Sequence, residues 1–317
     1  MSNPVLIVGV PRSGTTWVGR VLEHTDGVTF IGEPDSEHKE PFALRAKRGL
    51  GRFPLLAPGD SVPAYEALWD LALAGRSPSR SPIERAGRFL VRGAAVPAIH
   101  RAVDPRAPRS TGRLALVRRL AHRPSTPANG DHVVVKSVFV PLALDWLLSR
   151  RPDVATVVVE RNPYNVVSSW LAMGFIPFPW HEDKRLDDLV LGPLGLPPLP
   201  SNPSPVEEIA WQVGVLSSVL RDVARKHPSI QLVTHEDLCR APETLYKEVC
   251  HRAGLVWTET TQDYLANSNV PGTGYEPKRV AAEQPDKWRK RLTQHQVEEI
   301  TKVLGEFPAS SFEGPPI

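Results

Sequence analysis

Residues 5–17, Val5-Leu6-Ile7-Val8-Gly9-Val10-Pro11-Arg12-Ser13-Gly14-Thr15-Thr16-Trp17, limit what this chain can fold into more than any other stretch. An apolar run reads as a buried strand, a glycine-bounded loop follows, and the apolar spacing of Gly14–His24 predicts a helix straight after it. Such a junction aims backbone N–H groups and the positive end of the helix dipole at one point, which suits a phosphate or similar anion. Thr15 and Thr16 add hydroxyl donors. Written as G-x-x-x-x-G-T-T, the stretch has the glycine spacing of a nucleotide-triphosphate loop, but Thr15 stands where that loop carries its lysine. Arg12 lies inside the loop instead and offers a fork of N–H donors. A tight strand-to-helix turn without a ligand is the plain alternative.

The rest of the chain repeats the same alternation. Val5–Val10, Val28–Ile31, His132–Val135, Ala155–Val159 and Ile230–Thr234 are short, β-branched apolar runs, the pattern of parallel strands covered on both faces. Between them Pro141–Arg150, Pro163–Met173, Val206–Lys226 and Pro242–Arg252 carry helical spacing, three of them opening at or near a proline that suits a first turn. The fold class expected is α/β, a parallel sheet flanked by helices, with the second strand beside the first. A chain of 317 residues with 41% hydrophobic content allows one large domain, here taken as 1–317. Two segments break the rhythm. Residues 41–130 read as an insertion with helix-like pieces at Ala64–Ala74 and Pro82–Val103. Residues 174–205, proline-rich and bearing Phe175, Phe178 and Trp180, read as irregular chain unable to sustain a helix, either a lid or a surface excursion.

Composition removes several function classes. With 38 basic against 35 acidic residues the net charge is only +3, so no nucleic-acid partner is implied. No run approaches the roughly 20 apolar residues of a membrane span, and residues 4–8 are too short, without a basic leader, for a secretory signal. Cys239 and Cys250 are too few for a disulfide framework and lack metal-ligand spacing, so buried thiols in a reducing compartment, the cytoplasm, are expected. No carboxylates or histidines are spaced as a metal site, and no metal is expected.

Pro11-Arg12-Ser13-Gly14-Thr15-Thr16-Trp17 resembles the 5′-phosphosulfate loop of sulfotransferases, in the arginine form common among bacterial and Golgi members. The resemblance implies a P-loop-like fold. It gives Arg12, Ser13, Gly14, Thr15 and Thr16 contacts to the 5′ phosphosulfate of 3′-phosphoadenosine-5′-phosphosulfate, and Trp17 a place against the adenine. A second match, Val157–Trp170, is similar to the family's 3′-phosphate segment, with Arg161 at the strand end and Ser169 eight residues on. A guanidinium fork with a hydroxyl near a helix start suits a dianionic phosphate. Val133-Val134-Val135-Lys136-Ser137 resembles the strand whose terminal lysine steadies the transferring sulfuryl group. The cytosolic branch has a catalytic histidine two residues after that lysine; Val138 stands here, so that base is absent. Leu232–Leu238 is similar to a strand ending Tyr-Glu-Asp, with His235 in the tyrosine's place, which puts an adenine contact in doubt. Asp286–Leu292 is similar to the basic stretch that closes over the nucleotide, leaving Lys278, Arg279 and Arg289 as candidate donor contacts.

Sulfuryl transfer to a hydroxyl needs a base for the acceptor proton and fixed donors for the shared charge. Glu33, after the second strand, is the first candidate base. Asp35, Glu37, His38 and Glu40 crowd the same loop, and His38 is the second candidate because its ordinary pKa suits proton transfer near neutrality. The implied reaction passes the sulfuryl group to a small hydroxyl acceptor (carbohydrate, aryl, lipid or secondary metabolite), with Arg12 and Lys136 steadying the charge. A kinase or NTPase, or an inactive nucleotide-binding protein, are the alternatives.

Overall fold

The computed structural model describes residues 3–78, 81–107, 112–127, 129–175, 177–270 and 280–312. Five parallel strands, β1 (Val5–Gly9), β2 (Val28–Gly32), β3 (His132–Ser137), β4 (Ala155–Glu160) and β5 (Gln231–Thr234), form one sheet in the order β2-β3-β1-β4-β5. Each expected strand is present. The expected neighbourhood of the first two is not: β3 lies between β1 and β2, pairing Ile7 with Lys136 on one side and Gly32 with Lys136 on the other. A parallel connection must cross over, and the crossover from β1 leaves room for a third strand to be inserted. The chain leaves β1 toward one edge and β4 continues toward the other, so the carboxyl end of β1 is a topological switch point, the place where ligands of open α/β sheets bind.

Alternation along the central strands assigns the layers. Val5 and Ile7, with Val157 and Val159, face α1 (Thr15–Glu23) and its companions in one apolar cluster. Leu6 and Val8, with Val158, face the other cluster. Chain order continues through α2 (Pro41–Ala46), α3 (Pro63–Leu73), α4 (Pro82–Arg92), α5 (Val96–Val103), α6 (Gly112–Leu120), α7 (Leu144–Arg150) and α8 (Pro163–Ala172). Then come two short turns, α9 (Lys184–Leu186) and α10 (Gly192–Leu194), and α11 (Pro205–Lys226), α12 (His235–Arg240), α13 (Pro242–Arg252), α14 (Glu259–Ser268) and α15 (Gln294–Leu304). The long α11 packs along α8 and α15 and is started by a capping box between Ser204 and Glu207.

Two expectations of helix need correction. Pro82–Val103 is two helices, because the chain turns at Gly93–Ala95 ahead of Pro97, whose ring cannot continue the first helix. Residues 184–194, inside the segment read as unable to sustain a helix, form a continuous helical run made of α9, a π-type turn and α10. No proline occurs there before Pro193, so nothing blocks it. Helices α2, α4, α5 and α6 share a small cluster, Leu44, Val91, Ile99, Ala102, Val103 and Val117, whereas α3 packs into the main core. Both cysteines are buried free thiols. Among the described residues no helix is long and apolar enough to cross a membrane.

Candidate functional site

The loop after β1 is built around two glycines. A Cβ on Gly9 would lie 2.3 Å from Ser13 Oγ and 2.5 Å from the Val159 carbonyl, so only glycine lets the loop fold back on β4. Gly14 has φ 105°, and a Cβ there would meet the His235 ring at 2.3 Å. Arg12 takes φ 76°, an uncommon value for a residue with a side chain and one that turns it outward. Gly14 caps α1 without a side-chain acceptor, whereas Ser81, Asn162, Ser204, Thr234, Thr258 and Thr293 cap their own helices. The first turn of α1 also carries no acidic residue, so its dipole is left for an external anion. Ser13 Oγ is buried with no hydrogen-bond partner among the described residues, and Thr16 is exposed beside it.

The second anion segment is locked onto the first. Arg161, one residue past β4, donates from Nη1 to the Arg12 carbonyl at 3.0 Å, and Arg12 Nε donates to Ser169 Oγ at 3.1 Å. The next residue of α8, fully buried Trp170, donates from Nε1 to the Pro11 carbonyl at 2.8 Å. Three hydrogen bonds thus join segments some 150 positions apart into one cationic mouth at the carboxyl ends of β1 and β4. Burial pushes the Arg161 pKa down to about 10, with Glu236 opposing and Arg12 and Arg291 adding to the fall. It stays charged at neutral pH but under-compensated, and its Nε is buried without a hydrogen bond among the described residues. Those are the properties of a guanidinium shaped for an anion.

The other candidates fall around this mouth unequally. Trp17 is half-buried, donates to Ser268 Oγ at 3.1 Å and meets the Tyr246 ring edge-on. His235 is buried beneath Gly14 with Cys239 Sγ 3.6 Å from its Nδ1, and burial and Arg161 keep it neutral. It forms the loop's floor. Arg289 is already engaged, paired with Asp286 at 3.1 Å and lying over the Trp288 ring. Lys278 and Arg279 lie outside the described residues. Sequence reasoning missed Arg291, whose charge reaches Arg161 because Asn165 of α8 pins the Pro285 carbonyl and the Trp288 N–H.

On the opposite side of β1, Glu33 takes φ 56° and its N–H donates to the Lys136 carbonyl at 2.6 Å. Lys136 Nζ is 2.5 Å from Glu33 Oε1, and Lys39 Nζ binds Oε2. Burial alone would raise the Glu33 pKa; Lys136 and Lys39 together outweigh it and hold the group at about 2 instead of 4.5. Lys136 itself is buried, which lowers its pKa against the pull of Glu33. Asp35, fully buried, accepts from Ser137 Oγ at 2.8 Å, and burial lifts it to about 6. So Glu33 follows a strand that β3 separates from β1, and it pairs with Lys136 at the end of that intervening strand.

The sulfotransferase family model matches residues 4–192, which is more than half of the sequence and contains the Arg12 loop, Glu33, Lys136 and the Arg161–Ser169 segment. The chain belongs to the sulfotransferase family. No curated protein sequence matches it. Among solved structures this sulfotransferase is similar to the sulfotransferase domain from the curacin biosynthetic pathway, at 13% identity and TM-score 0.47 over 97% of this chain and 99% of that one. It is similar to the sulfotransferase domain of the Synechococcus PCC 7002 olefin synthase, at 15% identity and TM-score 0.45 over 97% and 96% of the two chains. A mouse sulfotransferase complexed with PAP aligns at 11% identity and TM-score 0.42 over 95% of this chain and 82% of that one.

In this sulfotransferase the loop after β2 also carries His38. Its Nε2 lies 2.5 Å from Arg52 Nη1, and burial together with the Arg52 charge lowers its pKa to about 4. Beyond Arg52 stand Phe53, Phe139, Phe178 and Trp180, packed edge-on or stacked at 4.9–5.7 Å. Phe178 is buried and its N–H and carbonyl are both held by Gln212 of α11.

Proposed function

We propose that the chain transfers the sulfuryl group of 3′-phosphoadenosine-5′-phosphosulfate to a hydroxyl of a small acceptor, releasing adenosine 3′,5′-bisphosphate. The observation that carries this reading is the Arg161–Arg12–Ser169 linkage, which merges two anion segments into one mouth fitted to a donor with phosphates at both ends. The Arg12–Thr16 loop takes the 5′ phosphosulfate, Arg161 and Ser169 the 3′ phosphate, and Trp17 the side of the base. The buried, unpartnered Ser13 Oγ and Arg161 Nε favour a ligand at both places. The acceptor oxygen attacks sulfur as the bond from sulfur to the bridging phosphate oxygen breaks, and the acceptor proton passes to the Glu33 carboxylate. Arg12 and Lys136 neutralise the charge on the sulfuryl and leaving oxygens.

The Glu33–Lys136 pair gives this step an order. A carboxylate held at about 2 is a weak base. As the leaving oxygen gains charge it competes for Lys136, and a Glu33 released from that ammonium has only Lys39 to oppose the burial that raises its pKa. Asp35 and Ser137 support the loop from beneath. We read residues 1–317 as one catalytic domain, with Phe178 and Trp180 walling the acceptor side. Incubation with sulfur-labelled donor and a panel of small hydroxyl compounds tests the reading: label should appear in an acceptor together with free bisphosphate. Hydrolysis of magnesium-ATP with no transfer of label to any acceptor would instead indicate a kinase or NTPase.

A further inference from the structure

Three lone-pair donors from distant parts of the chain converge beyond the Glu33 loop. Glu37 and His38 follow β2, and His100 comes from α5, yet one ligand atom of each lies within 4.8 Å of the others. Arg52 Nη1 sits among them, 2.5 Å from His38 Nε2, 2.5 Å from His100 Nε2 and 3.5 Å from Glu37 Oε1. A guanidinium only donates, so both Nε2 atoms present lone pairs to that point and the ring protons are on Nδ1. Glu37 is completely buried; its Oε2 is held by Lys47 Nζ at 2.7 Å, while Oε1, 3.5 Å from Arg52 Nη1, accepts no hydrogen bond among the described residues. Lys47 thereby orients the carboxylate as outer-shell partners of metal sites do.

We propose that Glu37, His38 and His100 form a binding site for a divalent transition-metal ion of the zinc class, and that the Arg52 guanidinium competes with the ion for the same lone pairs. Two imidazole nitrogens and a carboxylate oxygen are the ligand set of an open zinc site, with the fourth position left to water. The ion would tie α5 of the 41–130 insertion to the loop that follows β2. The site takes no group from the Arg12–Thr16 loop or Arg161, so it stands whether or not the donor assignment does. Cobalt titration of the metal-stripped full-length protein tests it. One cobalt per chain should bind with the visible bands of a four-coordinate ion and be displaced by zinc. His100→Ala should weaken cobalt binding by about 100-fold or more. Arg52→Ala should tighten it by about tenfold, because the competing cation is gone. Circular dichroism confirms that each variant is folded, and His100→Gln replaces His100→Ala if the latter is not. Failure of both wild type and Arg52→Ala to bind cobalt, equal binding by wild type and the His100 variant, or weaker binding by Arg52→Ala would each overturn the proposal.

Discussion

Glu33→Gln separates the two roles given to this carboxylate, because glutamine keeps the shape but neither carries the charge nor accepts the proton. Folding depresses the group from 4.5 to about 2, and its side chain is only 14% exposed. That difference corresponds to about 3 kcal/mol at neutral pH. For a depressed carboxylate the contribution is complete above the unfolded pKa and is lost as pH falls through the folded one. The stability gap between wild type and Glu33→Gln should therefore be full at pH 7, begin to close near 4.5 and vanish toward 2. Urea unfolding across that range measures the gap. A pH-independent gap, or one below about 1 kcal/mol as for an exposed ion pair, would refute the buried-pair reasoning. In the same protein, turnover of labelled donor should fall by about 100-fold or more, the scale of losing a general base. Bisphosphate binding should hardly change. Near-normal turnover in Glu33→Gln, with loss in His38→Ala, would move the base to His38.

Lys39→Ala removes the half-exposed partner of Glu33 and leaves burial less opposed, so the acid limb of kcat/KM should move to higher pH; an unmoved limb would show that Lys39 is a bystander. Replacing Phe178 and Trp180 by alanine should raise the acceptor KM more than the donor KM, since their stacked rings stand beside Arg52 and make no hydrogen bond to the Arg12–Ser169 linkage among the described residues. A larger change in the donor constant would assign that wall to the nucleotide.

What the sequence revealed was what is local. The strand, loop and helix around Arg12 are fixed by glycines and apolar spacing within some 20 residues, and the Arg161–Ser169 segment is likewise one strand end and one helix start. Strand order was hidden, because nothing near Val28 records that β3, a hundred residues on, will pair beside it. Glu33 was legible as a carboxylate near the mouth, but its ion pairs with Lys136 and Lys39, and hence its depressed pKa, follow from that order. The convergence of His38 and His100 on Arg52 depends on how the insertion folds back, and no spacing encodes it. The helical run at 184–194 was missed because the prolines around it were counted with it. Arg291 was indistinguishable from its basic neighbours until Asn165 pinned the stretch that precedes it.

A single donor that spans both anion segments should separate two nucleotides by their melting-temperature shifts. Adenosine 3′,5′-bisphosphate fills the Arg12–Thr16 loop and the Arg161–Ser169 segment, whereas AMP fills only the first. A ligand held at 100 times its Kd stabilises by about 2.7 kcal/mol, enough to separate tight from weak binders. Wild type should be stabilised clearly more by the bisphosphate than by AMP at equal concentration, and Arg161→Ala should lose that difference while keeping its response to AMP. Equal shifts from the two nucleotides in wild type, or an Arg161→Ala protein that still prefers the bisphosphate, would contradict the claim.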